Sequence, residues 1–220
     1  MAGDWLAASR SEVAADRILD AAGKLFTERD AAAVGMHEIA GAAGCSRATL
    51  YRYFNNREVL YKAFVNREAY RLFGELGDQI KDVQDPADRL VAGITTALRA
   101  VRSSPALASW FAAGEPPIGG EMAEQSEVIN VLTAAFVNSL GPDDPAAVER
   151  RARWLVRVIT SLLMFPGRGD ADETQMLQDF VVPALVEKPS EKPSEKPGGK
   201  PSLVSGRVVG GIDGSTCCAT

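Results

Sequence analysis

Apolar residues recur along most of this chain at helical spacing, and alternating β patterns are scarce. Ile18, Ala22, Leu25 and Phe26 fall at i, i+4, i+7 and i+8, one face of a helix. Met36, Ile39, Ala40 and Ala43 share a face of a shorter one. Gly44 follows, suited to a left-handed C-terminal position. Ser46 is placed to cap the next helix, which carries Leu50 and Phe54. Asn55-Asn56-Arg57-Glu58 reads as a further cap, with Asn55 and Glu58 spaced as a capping box. A long helix from about Arg57 to Leu76 should follow. Downstream, Asp85-Pro86, Ser104-Pro105 and Asp144-Pro145 each set proline at a first helical position behind a capping side chain. The implied helices run roughly 86–103, 105–113, 120–140 and 145–165, with a last one near 172–186. Leu155, Val158, Leu162 and Phe165 stripe the 145–165 helix, and Trp154, Ile159 and Leu163 widen that stripe. Such a helix is buried on more than one side, which suits a subunit interface as well as a core. Leu177, Phe180, Val181, Ala184 and Leu185 repeat the pattern in the last helix. The fold class expected is all-α.

After Val186 the pattern stops. Glu-Lys-Pro recurs at 187–189, 191–193 and 195–197, and prolines so spaced forbid a helix. Residues 201–220 are rich in small residues without periodicity. The stretch 187–220 is expected to be a disordered Lys/Pro/Ser/Gly-rich tail.

Composition narrows the chemistry. At 220 residues, 46% hydrophobic and 24% charged, the chain can bury a real core. No apolar run approaches the ~18 residues of a membrane span, and the N-terminus lacks a basic segment followed by an apolar one. No membrane partner and a cytoplasmic location are expected. Three cysteines, two of them adjacent at Cys217 and Cys218, make no disulfide framework. The single histidine, His37, removes His-rich metal sites and most nucleophilic relays. Gly198-Gly199-Lys200 is no phosphate loop, because position 194 is Ser where the motif needs Gly. Paired carboxylates stay open in principle, but no spacing singles out a pair. The chain is read as a non-enzyme, with no metal and no cofactor.

Charge is uneven. The chain carries −5, yet residues 46–71 hold six Lys/Arg against two Asp/Glu. A basic segment in an acidic protein is either a solvated helix face or a footprint for phosphate. The residues between the charges favour the second. Residues 36–54 read helix, Gly-containing turn, helix, the pattern of a helix-turn-helix whose second helix enters the DNA major groove. Ile39, Ala40, Cys45 and Leu50 would fix the crossing, and Arg47, Ala48, Tyr51 and Arg52 would point outward. Arg suits guanine O6 and N7, while Ala48 and the Tyr51 ring suit a thymine methyl. Thr49, Tyr53 and Arg57 carry phosphate donors, and Ser46 opens the recognition helix.

The run from Ile39 to Leu60, Ile-Ala-Gly-Ala-Ala-Gly-Cys-Ser-Arg-Ala-Thr-Leu-Tyr-Arg-Tyr-Phe-Asn-Asn-Arg-Glu-Val-Leu, resembles the signature of the TetR (tetracycline-repressor-like) family of bacterial regulators, with a match over about residues 13–64. It departs from the family form at several places. Gly35-Met36 stands where Thr is usual, and losing that hydroxyl removes one phosphate contact. Cys45 replaces Val as a small apolar residue, with redox sensing the other reading. Ala48 replaces Gly, and Arg57 replaces Lys. His37 falls where members often carry a DNA-facing Arg. It is either a solvated surface residue or a base or phosphate contact.

The resemblance implies a homodimer with an N-terminal three-helix helix-turn-helix domain (1–60), and a C-terminal helical effector-binding and dimerisation domain (61–186). It implies double-stranded DNA as partner, a dimer interface through helices near 145–165 and 172–186, and an unidentified small, mostly apolar effector. Most simply this is a repressor released from a palindromic operator by its effector. A DNA-binding or interaction module without an effector is the other reading, and a helical enzyme a more remote one. The effector pocket would lie among helices 86–140, with Trp110, Phe111, Met122, Phe136 and Trp154 as candidate lining, although each also suits ordinary core packing. Arg157, among apolar neighbours, would pair with a carboxylate or meet an anionic effector. The helix from 57 is the expected lever between the domains.

Overall fold

A computed structural model describes residues 5–111, 118–141 and 144–186, with side chains from residue 11. The tail at 187–220, with Cys217 and Cys218, lies outside the described residues, as does the end of the helix expected at 105–113. Every regular element among the described residues is helical.

The first half is a three-helix head. Helix α1 (Trp5–Glu28) buries Ile18, Leu19, Ala22 and Phe26, the stripe its spacing dictates. Asp30 caps a short 3-10 turn (Ala31–Ala33) by accepting the Ala32 N–H at 2.9 Å. Helices α2 (Met36–Ala42) and α3 (Arg47–Tyr53) follow, joined through Gly44 at φ +66°. Helix α4 (Arg57–Ile80) runs one turn further than its sequence pattern suggests. Its cap is Asn56, which accepts the Val59 N–H at 2.8 Å. The expected Asn55–Glu58 box does not form, because Glu58 turns to Lys62 at i+4.

The second half holds α5 (Pro86–Ser103), α6 (Pro105–Ala108), α7 (Ile118–Gln125), α8 (Glu127–Asn138), α9 (Pro145–Met164), α10 (Asp170–Met176) and α11 (Val182–Leu185). Asp85 and Asp144 cap their Pro-led helices as the sequence requires. Ser104 precedes α6 without a side-chain cap. Two expected helices end or break early, and a third changes register inside. The 105–113 helix is over at Ala108, and Trp110 turns into the head's core. The 120–140 helix is broken at Ser126. That buried hydroxyl accepts the Ile129 N–H and donates to Asn66 on α4 at 2.8 Å, so it ties the break to α4. The last helix starts at Asp170 and contains a π-helical stretch (Leu177–Val181), in which the Val182 N–H reaches the Leu177 carbonyl.

Two main cores result. One gathers Ile18, Phe26, Val34, Ile39 and Leu50 with Leu60, Tyr61 and Phe64 of α4, and closes over Trp110 and Met122. The other packs Leu90, Ile94 and Leu98 of α5 against Val137, Leu155, Leu162, Leu177, Val181 and Leu185. Helix α4 runs on from the first core to a smaller cluster, in which Leu76 and Ile80 pack with Ala97 of α5.

Candidate functional site

The α2–α3 pair is fixed by its backbone before any ligand is considered. Gly44 takes the left-handed conformation that a Cβ disfavours. It lets the Cys45 N–H reach the Ala40 carbonyl at 3.0 Å, which closes the turn. Ser46 accepts the Thr49 N–H at 3.0 Å, so α3 starts at Arg47. Ile39, Ala40 and Leu50 are buried and fill the crossing. Gly35 offers no capping hydroxyl to α2. The Glu38 carboxylate instead takes the Gly35 N–H at 2.8 Å and a 2.7 Å ion pair from Arg29. The Gly35 N–H, then the Arg29 bond, holds its carboxyl below the usual carboxylate range. Cys45 is half-buried as a free thiol packed against the head's core.

The outward face then carries what the sequence proposed. His37, Ser46, Arg47, Ala48, Tyr51, Arg52 and Arg57 are exposed, with Thr49 and Tyr53 half-buried beside them. Arg47 makes no hydrogen bond or ion pair with the described residues, so its guanidinium is uncommitted. Arg52 stacks on the Tyr53 ring at 5.3 Å. Arg57 differs: it donates to the Ala32 carbonyl at 3.1 Å and lies over the Tyr61 ring. Tyr61 in turn donates its hydroxyl to the carbonyls of Ala31 and Val34. Burial pushes that phenol's pKa up, opposed by Arg57. Arg57 and Tyr61 thus brace the turn in front of α2, a structural duty that the charge of Arg57 alone did not reveal.

A second feature lies behind this face. Helices α4, α5, α8 and α9 line a partly open cavity of about 140 Å³. Leu72, Phe73, Ile94, Ala97, Ile159 and Leu163 supply much of its wall, and Trp110 and Phe111 line it from beyond α6. Trp110 belongs at the same time to the head's core. Its ring stands 5.3 Å from Phe26, 5.0 Å from Tyr61 and 5.9 Å from Phe64, stacked on the last.

Residues 18–64 match the model of a family described as bacterial regulatory proteins, tetR family. The chain is 66% identical over 184 residues to the uncharacterized HTH-type transcriptional regulator Rv1255c of Mycobacterium tuberculosis, spanning 83% of this chain and 91% of that one. This protein belongs to the TetR family. Its fold agrees with that of RolR in complex with resorcinol (TM-score 0.65, 16% identity, 82% of this chain and 91% of the other). It also agrees with Thermus thermophilus FadR, a TetR family repressor in complex with lauroyl-CoA (TM-score 0.57, 21% identity, 84% and 100%). As a TetR family member the chain is a DNA-binding transcriptional regulator and not an enzyme. No helix among the described residues is long and apolar enough to cross a membrane.

Of the six candidate effector residues, the structure brings three to the cavity of this TetR family chain: Trp110, Phe111 and Phe136. The other three lie elsewhere. Met122 is buried in the head's core. Trp154 faces outward from α9, 40% exposed. Arg157 lies on the surface and pairs with Glu124 of α7, which satisfies it without any ligand. Much of the wall was not singled out in sequence, because Ala69, Leu72, Phe73 and Leu76 of α4 and Ile94 and Ala97 of α5 read as ordinary helix stripes. The one signal was a surplus: α4 carries more apolar positions than a single seam needs.

Proposed function

We propose that this regulator is a cytoplasmic repressor, binding a palindromic operator as a homodimer and releasing it when a small apolar effector fills the cavity. Trp110 is the observation that carries the reading. One ring is both a wall of the cavity and a member of the core that seats α1 and the turn before α2. A ligand that prefers one arrangement of that wall biases the head by its difference in affinity for the two arrangements. Helix α4 runs alongside, with Val65 to Leu76 on the cavity and Arg57 and Tyr61 bracing the reading face.

The homodimer is supported by an apolar face on α9 to α11. Trp154, Phe165, Met176 and Phe180 are all exposed there, Phe165 and Phe180 by about 70%. A two-fold axis through that face would set two α3 helices about one DNA turn, roughly 34 Å, or a multiple apart. The fold neighbours RolR and FadR hold small molecules, resorcinol and lauroyl-CoA, which supports an effector for this chain; its apolar character rests on the lining of the cavity. On this reading Arg47, Ala48 and Tyr51 read bases. His37, Ser46, Thr49, Arg52, Tyr53 and Arg57 set register on phosphates. The functional division lies near residue 60, although the head's core extends past it through Tyr61 and Phe64.

The test is a gel shift on DNA upstream of the protein's own gene, at two salt concentrations, with a scrambled probe beside it. Specific binding that steepens with dilution of salt supports the reading. Equal affinity for both probes overturns it, and so does a monomer in sedimentation at the concentration where DNA is bound.

A further inference from the structure

The cavity's size and lining narrow what it takes, an inference that rests on its being the effector site. Its volume of about 140 Å³ matches the ~150 Å³ apolar cavities that take up benzene. Drug-sized sites need roughly 300–1,000 Å³. The space is held to that size by a close contact: the tip of the Phe136 ring points at Gly93 of α5, so that a Cβ there would stand 2.6 Å from its Cζ. On the other side, the Gly119 N–H donates to the Trp110 carbonyl at 3.0 Å, which ties the Trp110 wall to α7.

The chemistry is narrower still. Among the described residues no Lys or Arg lines the cavity, and the one charged residue there is Glu68. That carboxylate already accepts two hydrogen bonds from Arg71, at 2.7 and 3.1 Å, with Arg67 at 3.5 Å. A ligand cation would find it taken. A ligand carboxylate would lose its water with no cation to receive it, which burial does not tolerate.

We propose that the cavity takes an uncharged, apolar ligand of single-ring size and excludes fatty carboxylates. The experiment uses the full chain with toluene, naphthalene and decanoate, read by ligand-observed NMR and by the shift in thermal midpoint. Toluene should bind and raise the midpoint, naphthalene should bind at least tenfold more weakly, and decanoate should do neither at equal concentration. Ala97→Leu, which fills the cavity, should weaken toluene at least tenfold. Ala69→Leu repeats that test from α4 should the first variant not fold. Phe136→Leu should raise the affinity for naphthalene relative to toluene at least tenfold.

Decanoate binding as tightly as toluene would overturn the proposal, and so would toluene binding untouched by both filling substitutions. A gel shift in the same solutions separates this inference from the effector reading. Toluene that binds while operator affinity stays constant leaves the ligand class standing and removes the effector role. Decanoate that binds and releases DNA does the reverse.

Discussion

Around Phe26, the rings of Tyr61, Phe64 and Trp110 all stand edge-on with centroids within 5.3 Å. Between α4, α5, α8 and α9, side chains of similar bulk stand back and leave about 140 Å³. The two regions share α4 and Trp110, yet one packs its rings edge to face and the other leaves a cavity. Filled cores transmit displacement, because they have few neighbouring arrangements to relax into. A region with space can accept a ligand and change shape at small cost. The contrast assigns stiffness to the half that presents Arg47 and compliance to the half behind it.

The largest blow to this contrast falls on the aromatic cluster. Phe26→Ala removes a side chain that is fully buried and should lower unfolding free energy by about 3–5 kcal/mol, read as a shift in urea midpoint. A loss under 1 kcal/mol would mean that the head is loosely packed and the contrast is false. Next comes the tie that holds the compliant half together. Arg102 donates to both carboxylate oxygens of Glu173, at 2.8 and 2.7 Å, and to the Leu162 carbonyl, while the Gly167 N–H adds a bond to Glu173. Arg102→Ala should lower stability by about 3 kcal/mol, the low end for a buried pair because Arg102 keeps a third of its side chain in water.

The same pair fixes a pH dependence. The Arg102 hydrogen bonds hold the Glu173 carboxyl below its ordinary value against the opposing pull of burial, and the Gly167 N–H assists. A depressed acid contributes stability that is whole above the unfolded pKa, about 4.3 for Glu, and is lost as pH falls through the folded value. The urea midpoint should therefore drop below about pH 4 in the wild type, and less steeply in Glu173→Gln.

Legibility followed the same divide. The head was readable because its devices are local: the Ile18–Phe26 stripe, Gly44, the Ser46 cap and the basic run all act within a few residues of one another. Arg57 shows the limit even there, since its bond to Ala32 spans a distance in sequence that no spacing rule reports. The cavity was less legible because it is an absence made by several helices. Trp154 and Arg157 looked like pocket residues by type, but helix rotation turned them outward. Ser126 and Trp110 broke two expected helix limits, each through a contact with a distant element, and the π stretch changed the register inside a third helix.

Smaller effects sharpen the picture at the reading face. Arg47→Ala should weaken operator binding by about 1–3 kcal/mol and relax sequence choice at one position, whereas Arg52→Ala should weaken all probes alike and flatten the salt slope. Competition gel shifts with single-base variants of the operator distinguish the two. Smallest is Gly44→Ala. Nothing lies within 4 Å of the added Cβ, so only the left-handed backbone is strained, at about 1 kcal/mol. A thermal midpoint lowered by a few degrees, with DNA contacts intact, is the expected result.

The π-helical stretch at 177–181 ends two positions before Pro183. Proline has no N–H to continue the i to i−4 ladder, so the wider loop there accommodates a residue that an unbroken helix would reject. The extra residue in that turn shifts everything beyond it around the axis, and within the stretch Leu177 and Val181 are buried in the core that holds Leu155 while Phe180 looks outward. Pro183→Ala would free the helix to rewind by one position. A single imino acid thereby indexes the last turn of this helix.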